Sequence, residues 1–228
     1  MPFVNFFPPE VPPRSVLFVL ATDTEIGKTR VMESLVRAHR GQPELLFVKV
    51  AQTGVSTEPD PAEDRDVLRY LAAGADPSSV WECDSFREPL DPMTAARLEG
   101  RPLDREALAA RLRSAAESGK RVVVEGSGGV LSPFFENGEG ILSLARALDL
   151  PVRILLVSHP HLGTLSATLS AVRILSLEGV PPEALLLCPR SGVHDRATSF
   201  NPRTLASLLF PLPVHLQNER EEWERVEV

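Results

Sequence analysis

Apolar residues along the chain fall into two kinds of stretch that alternate. In one kind they run together without interruption: Val16 to Leu20, "ELLFVKV" at 44–50, the opening of "RVVVEGSGG", "PVRILLV" and "EALLLC". Short unbroken runs of this type read as strands covered on both faces. In the other kind apolar positions recur at helical spacing. One such helix follows the first strand to about His39. A second, "PAEDRDVLRYLAAG", has apolar residues at 67, 68 and 71 and a stop at Gly74. "LDREALAARLRSAAESG" is amphipathic, with Asp104 as N-cap and Gly119 as stop. A short helix from Gly140 to Leu148, the segment "HLGTLSATLSAVRILSLEG", and "NPRTLASLLF" with Asn201 as N-cap and Pro202 at the first helical position complete the set. "LPVHLQ" reads as a last edge strand. The alternation predicts an α/β fold, a parallel sheet flanked by helices on both faces. Ligands in such sheets bind beyond the carboxyl ends of the strands, so the segments after the strands hold the candidates.

Length and composition narrow this further. A chain of 228 residues with neither an internal repeat nor a low-complexity linker suits one domain, residues 15–228, preceded by an extended Pro-rich arm at 1–14. The net charge of -7 argues against a nucleic-acid partner, whose phosphates are met by basic faces. Cys83 and Cys188 are the only cysteines and have no metal-ligand spacing, which points to a reduced, cytoplasmic setting. No apolar run approaches the ~18 residues of a membrane span. The arm lacks the basic region and apolar core of a secretion signal.

The loop after the first strand reads "ATDTEIGKT". Gly27 allows close backbone approach, Lys28 can reach β- and γ-phosphates, and the Thr29 hydroxyl can ligate Mg²⁺. The pattern is off the usual phosphate-binding loop, which has Gly where Thr22 stands. A plain strand-to-helix turn is the alternative. Lys28, Lys49 and Lys120 are the only lysines in a chain that otherwise uses Arg, and Lys49 ends the second strand. It is either a surface residue leaving the sheet or a cation aimed at the crevice, with Thr53 and Gly54 just beyond. Glu125 ends the strand "RVVVE" where a metal-holding acid stands in nucleotide-binding sheets, before a loop of Gly126, Ser127, Gly128 and Gly129. Asp64 and Asp66 lie at a helix start and do not share a face. His159 and His161 follow a strand without a third metal ligand and read as loop residues.

Taken together these motifs resemble dethiobiotin synthetase, the ATP-dependent ligase of biotin biosynthesis. "ATDTEIGKT" fits the modified loop [GA]-T-D-T-x-[VI]-G-K-T throughout. "KVAQTG" matches K-P-V-Q-T-G with Val50 for Pro, and "VEGSGG" matches V-E-G-A-G-G with Ser127 for Ala. "EPLDPMTAARLEG" and "HLGTLSATLS" are similar to the family's substrate segment and its later helix start. The resemblance implies a single-domain P-loop NTPase-like fold and a homodimer. It also implies a reaction of 7,8-diaminopelargonate, CO₂ or bicarbonate, and ATP through a carbamate and its mixed anhydride with phosphate. Lys28, Lys49 and Thr24 would be catalytic. Glu25, Ile26, Gly27, Lys28 and Thr29 would hold the nucleotide, with Cys188, Pro189 and Arg190 at its base. Thr24, Thr53 and the segment Gly126, Ser127, Gly128, Gly129 would orient the substrate. Mg²⁺ would sit on Thr29, Asp66 and Glu125, the family pattern selecting Asp66 over Asp64. Two departures follow. Ser166 and Ala167 replace the Asn-His that meets the substrate carboxylate across the dimer. Cys188 replaces an adenine-reading Asn, so weak discrimination among nucleoside triphosphates is expected, with backbone groups of Pro189 to Ser191 facing the base. The rival is a regulatory ATPase of the partitioning type, whose loop carries an early lysine; residues 21–26 have none.

Overall fold

The structure, a computed structural model, describes residues 14–56, 65–190, 192–193 and 195–228. Residues 1–13 of the expected arm, Asp64, Ser191 and His194 lie outside this set. The elements alternate as the sequence pattern requires. They are β1 (Val16–Ala21), α1 (Lys28–Ala38), β2 (Leu45–Thr53), α2 (Asp66–Ala73), β3 (Val80–Phe86), α3 (Pro92–Leu98), α4 (Arg105–Glu117) and β4 (Arg121–Glu125). The second half adds α5 (Ile141–Ala147), β5 (Val152–Ser158), α6 (Thr164–Leu177), β6 (Ala184–Leu187), α7 (Asn201–Leu208), β7 (Val214–Gln217) and β8 (Trp223–Arg225).

The strands form one sheet in the order β3-β2-β4-β1-β5-β6-β7-β8, parallel except for the antiparallel β7–β8 pair. Strand β1 lies at its centre, and its side chains explain the two-sided cover. Val16, Phe18 and Leu20 enter the core that also holds Ala109 and Leu112 of α4 and Leu144 of α5. Leu17, Val19 and Ala21 enter the opposite core with Val31 and Leu35 of α1 and Tyr70 of α2. Every β1 residue is buried. A strand that is apolar at every position is the signature of burial on both faces.

Asp104 caps α4 as expected, its side chain accepting from the Ala107 N–H. Four features differ from the sequence reading. Strand β3 and helix α3 were not expected. β3 reads VWECDSF and is only partly buried along most of its length, being an edge strand, so it lacks an apolar run. Helix α3 is a short element capped by Asp91 with Pro92 behind it. Asn201 is not the N-cap of α7 but its first helical residue, after Phe200. Its Nδ2 instead donates to the carbonyls of Pro160 and His161 at 3.0 and 2.9 Å, tying α7 to the loop after β5. Strand β7 is not the last edge, because β8 pairs outside it.

Register does the rest. β2 and β4 are neighbours, with Lys49 directly opposite Glu125. Side chains paired in this way leave the same face of the sheet at the same level. The loops after β1, β2 and β4 therefore meet at one end of the sheet.

Candidate functional site

The loop between β1 and α1 turns through two left-handed residues, Glu25 (φ 52°) and Gly27 (φ 107°). Gly27 caps α1. A Cβ on Gly27 would lie 2.7 Å from Cβ of Cys188, so both the backbone angle and the neighbour demand glycine. The loop after β4 presses equally close: a Cβ on Gly129 would come within 2.8 Å of the Thr22 carbonyl. Hydrogen bonds fix this contact, Gly126 N–H to Val19 O at 3.2 Å and Val130 N–H to Ala21 O at 2.9 Å.

Between these loops opens a cleft of about 690 Å³ lined by Thr24 to Arg30, Lys49, Gln52, Thr53, Asp66, Arg69, Glu125, Ser127, Gly128 and Ser132, with Pro89 to Pro92 on the far wall. Its floor is charged. Lys49, buried, places Nζ 2.6 Å from Asp66 Oδ2 and 2.8 Å from Glu125 Oε1. Thr29 Oγ1 lies 2.8 Å from Asp66 Oδ1 and 3.1 Å from Glu125 Oε1. The Tyr70 hydroxyl donates to the other oxygen of Glu125. Asp66 opens α2 and its N–H donates to Gln52 Oε1 at 2.9 Å, which anchors the helix start to β2. Lys28 folds back over the loop, its Nζ donating to Gly128 O at 2.8 Å and Asp23 O at 3.2 Å.

Burial and charge pull these groups in different directions. Burial lowers the Lys28 ammonium to about 8, and the like charge of Lys49 adds to the shift. For Lys49 burial also pushes down, yet Glu125 and Asp66 outweigh it and hold the group above its ordinary value. Glu125 is raised by burial, with the charge of Asp66 adding and Lys49 opposing. Burial would raise Asp66 too, but Lys49 overrides it and the carboxyl sits below its usual range. The phenol of Tyr70 is held well above its ordinary value, first by burial and then by the Glu125 carboxylate. Lys49 is thus a fixed cation between two acids, and Lys28 is a cation whose charge depends on pH.

Asp66 Oδ1 and Glu125 Oε1 both lie within hydrogen-bonding distance of Thr29 Oγ1, so the three oxygens gather around one point. That all-oxygen set beside a phosphate-type loop suits a hard divalent cation such as Mg²⁺, which takes one or two carboxylates and completes its shell with phosphate and water. The structure therefore brings Thr24 to Thr29, Lys49, Thr53, Asp66, Glu125, Ser127 and Gly128 to one cleft.

Other expected residues lie differently. The N–H of Gly126 is engaged by Val19 O and that of Gly129 by Ser132 Oγ, so of the four amides those of Ser127 and Gly128 remain as candidates to face a substrate. Cys188 is not on the cleft wall. It is buried behind the loop, with Sγ 3.8 Å from Gly27 O. Pro189 and Arg190 are also off the cleft wall, and their backbone groups are engaged. Pro189 O accepts from Arg30 Nη1 at 2.6 Å, and the Arg190 N–H donates to His161 Nε2 at 2.8 Å. His161 is accordingly a buried loop anchor. Ser166 and Ala167 sit exposed on the first turn of α6. Tyr70, Gln52 and Arg30 were not anticipated. The signal for Tyr70 was its place four residues after Asp66, the same helical face, in a chain with one tyrosine.

Comparison with known proteins bears on the family and the fold. The family model of an AAA domain matches residues 15–213. A protein named ATP-dependent dethiobiotin synthetase BioD from an Anaeromyxobacter species is 37% identical over 191 residues, covering 83% of each chain. One of the same name from Streptomyces coelicolor is 37% identical over 188 residues, covering 82% of this chain and 76% of the relative. Among solved structures, the cell division ATPase MinD of Pyrococcus furiosus superposes with a TM-score of 0.54 at 18% identity, covering 91% of this chain and 84% of its own. A ParA-family ATPase of Chlorobium tepidum gives 0.52 at 14%, covering 92% and 86%. At that identity the two ATPases share the fold alone.

Proposed function

The chain belongs to the ATP-dependent dethiobiotin synthetase family, and we propose that its cleft closes the cyclic urea of dethiobiotin from 7,8-diaminopelargonate, CO₂ and ATP. The observation that supports this reading most is the buried Lys49 bridging Asp66 and Glu125 at the mouth of a phosphate-binding loop. A switch ATPase of the partitioning type would carry its second cation as an early lysine within the loop, which residues 21–26 lack, whereas here the second cation stands on β2.

The chemistry generates negative charge twice. Addition of CO₂ to one amine gives a carbamate anion, and transfer of the γ-phosphoryl group to it passes through a state with charge spread over the phosphoryl oxygens. The second amine then attacks the activated carbonyl, and phosphate leaves. Fixed cations in a water-poor site are the effective means of stabilising such charge. Lys49 is held protonated by its two acids and stands on the substrate side of the loop, where a carbamate oxygen would meet it. Lys28 stands at the phosphate side. Thr29, Asp66 and Glu125 would hold Mg²⁺, which when bound neutralises the β- and γ-phosphate oxygens. Thr24, Thr53 and the amides of Ser127 and Gly128 line the space left for the diamine. Glu25, Ile26 and Gly27 would cradle the phosphates through the start of α1. Cys188 backs Gly27 from behind rather than touching the base, with Pro189 and Arg190 forming the adjoining loop. A homodimer and a cytoplasmic location are part of the same proposal; among the described residues no helix is long and apolar enough to cross a membrane.

Incubation with ¹³C-bicarbonate, ATP and the diamine tests the reading. Mass spectrometry should find one labelled carbon in a product lighter than the carbamate by one water. Label confined to uncyclised carbamate, or absent from product, would contradict it.

A further inference from the structure

Beneath the cleft, behind Glu125, lies a group that the proposed reaction does not use. Tyr70 is wholly buried on α2 and its hydroxyl donates to Glu125 Oε2. The opposite oxygen of the same carboxylate, Oε1, faces Lys49 at 2.8 Å and Thr29 Oγ1 at 3.1 Å. Glu125 is itself buried, so each of its oxygens needs a partner. The two oxygens therefore have separate tasks, one tied to the protein and one presented to the cleft.

We propose that Tyr70 is a positioning residue that orients Glu125 as a ligand to the divalent cation. The inference rests on the reading of Thr29, Asp66 and Glu125 as the metal site. Tyr70 lies four residues beyond Asp66, so one face of α2 supplies both an acid to the site and the hydroxyl that fixes the other acid. The start of α2 is anchored by the bond from Asp66 N–H to Gln52 Oε1. The phenol occupies Oε2, which leaves Oε1 as the coordinating oxygen and prevents the carboxylate from turning both oxygens toward Lys49. A partner of this kind, one bond removed from the metal, commonly changes metal affinity by about 10–100-fold when it is removed. Tyr70→Phe keeps the ring and its packing while deleting that single bond.

The test uses Mn²⁺ as the probe on the ADP-saturated full chain, with bound and free ion separated by paramagnetic resonance against a protein-free ADP blank. Tyr70→Phe should need ~10–100-fold more Mn²⁺ for half-saturation, while its ADP affinity in the presence of a chelator matches that of the wild type. The wild type carries one tyrosine, so its near-ultraviolet difference spectrum on Mg²⁺ addition should show a tyrosine band that the variant lacks. Equal half-saturation in both proteins with a silent tyrosine band would overturn the inference while leaving the metal site standing. A wild type that takes up no Mn²⁺ beyond the ADP blank would overturn both. If the variant does not fold, the wild-type difference spectrum decides by itself: a tyrosine band supports the role, and its absence with Mn²⁺ bound refutes it.

Discussion

Replacing Lys49 by alanine separates its two tasks, holding the acids together and meeting the substrate. Its Nζ sits 2.6 Å from Asp66 Oδ2 and 2.8 Å from Glu125 Oε1, and its side chain is 5% exposed. Removing one partner from a buried pair leaves an uncompensated charge and costs about 3–5 kcal/mol. Here the loss is moderated, because Glu125 is already raised by burial and can take a proton. The lower end, about 3 kcal/mol, is therefore expected. For a domain of this size each kcal/mol corresponds to roughly 2–4 °C, so Tm should fall by roughly 6–12 °C. Mg²⁺ with ADP should recover more of that loss in the variant than it adds to the wild type, since a divalent cation restores the missing positive charge between the same acids. Turnover should fall about 10²–10³-fold, the usual consequence of deleting one group that stabilises developing charge. ATP binding should survive, because Lys28 and the loop amides are untouched. Thermal melts with and without MgADP, alongside phosphate release, read all of this. An unchanged Tm would show that the Lys49 bridge contributes nothing, and near-normal turnover would remove Lys49 from the chemistry.

Two further outcomes follow from the same geometry. Lys28 is lowered to about 8 by burial and then by Lys49, and phosphate prefers the ammonium, so nucleotide affinity should be flat below that pH and weaken up to tenfold per pH unit above it; binding of a non-hydrolysable ATP analogue between pH ~6.5 and ~9.5 checks this, and a flat profile across that range contradicts it. Pro189 O and the Arg190 N–H are engaged by Arg30 and His161, so ATP, CTP and GTP should support turnover within about tenfold of one another, less than ~1.4 kcal/mol apart; a preference for ATP of a hundredfold or more in a competition assay would show a base contact that this geometry does not supply.

The parts of this molecule that sequence discloses are those where one physical rule acts alone. β1, β4 and β5 are apolar because both their faces are covered, and the Gly-Lys-Thr turn is fixed by what a phosphate demands of a backbone. Lys49 and Glu125 were separately visible as polar residues ending apolar strands. Their pairing was not, because it depends on β2 and β4 being neighbours in register, which no local pattern encodes. β3 escaped notice because an edge strand mixes Trp81, Glu82, Cys83 and Asp84 without an apolar run. Cys188 was legible as a position but not as a direction: the thiol points behind Gly27, where a larger residue at 27 would collide with it. Asn201 carries the local signature of a cap, yet tertiary contacts to Pro160 and His161 recruit its side chain instead. Tyr70 is not among the apolar positions 67, 68 and 71 that mark α2 in the sequence, and only the fold brings it to Glu125.

The measurement that bears most directly on the cleft as a carbon–nitrogen ligase site is phosphate release from ATP, with and without 7,8-diaminopelargonate and bicarbonate. Release that appears only when both are present, one phosphate per cyclic urea formed, is the predicted result. ATP hydrolysis at the same rate without the diamine would contradict the account and return the protein to the switch ATPases whose fold it shares.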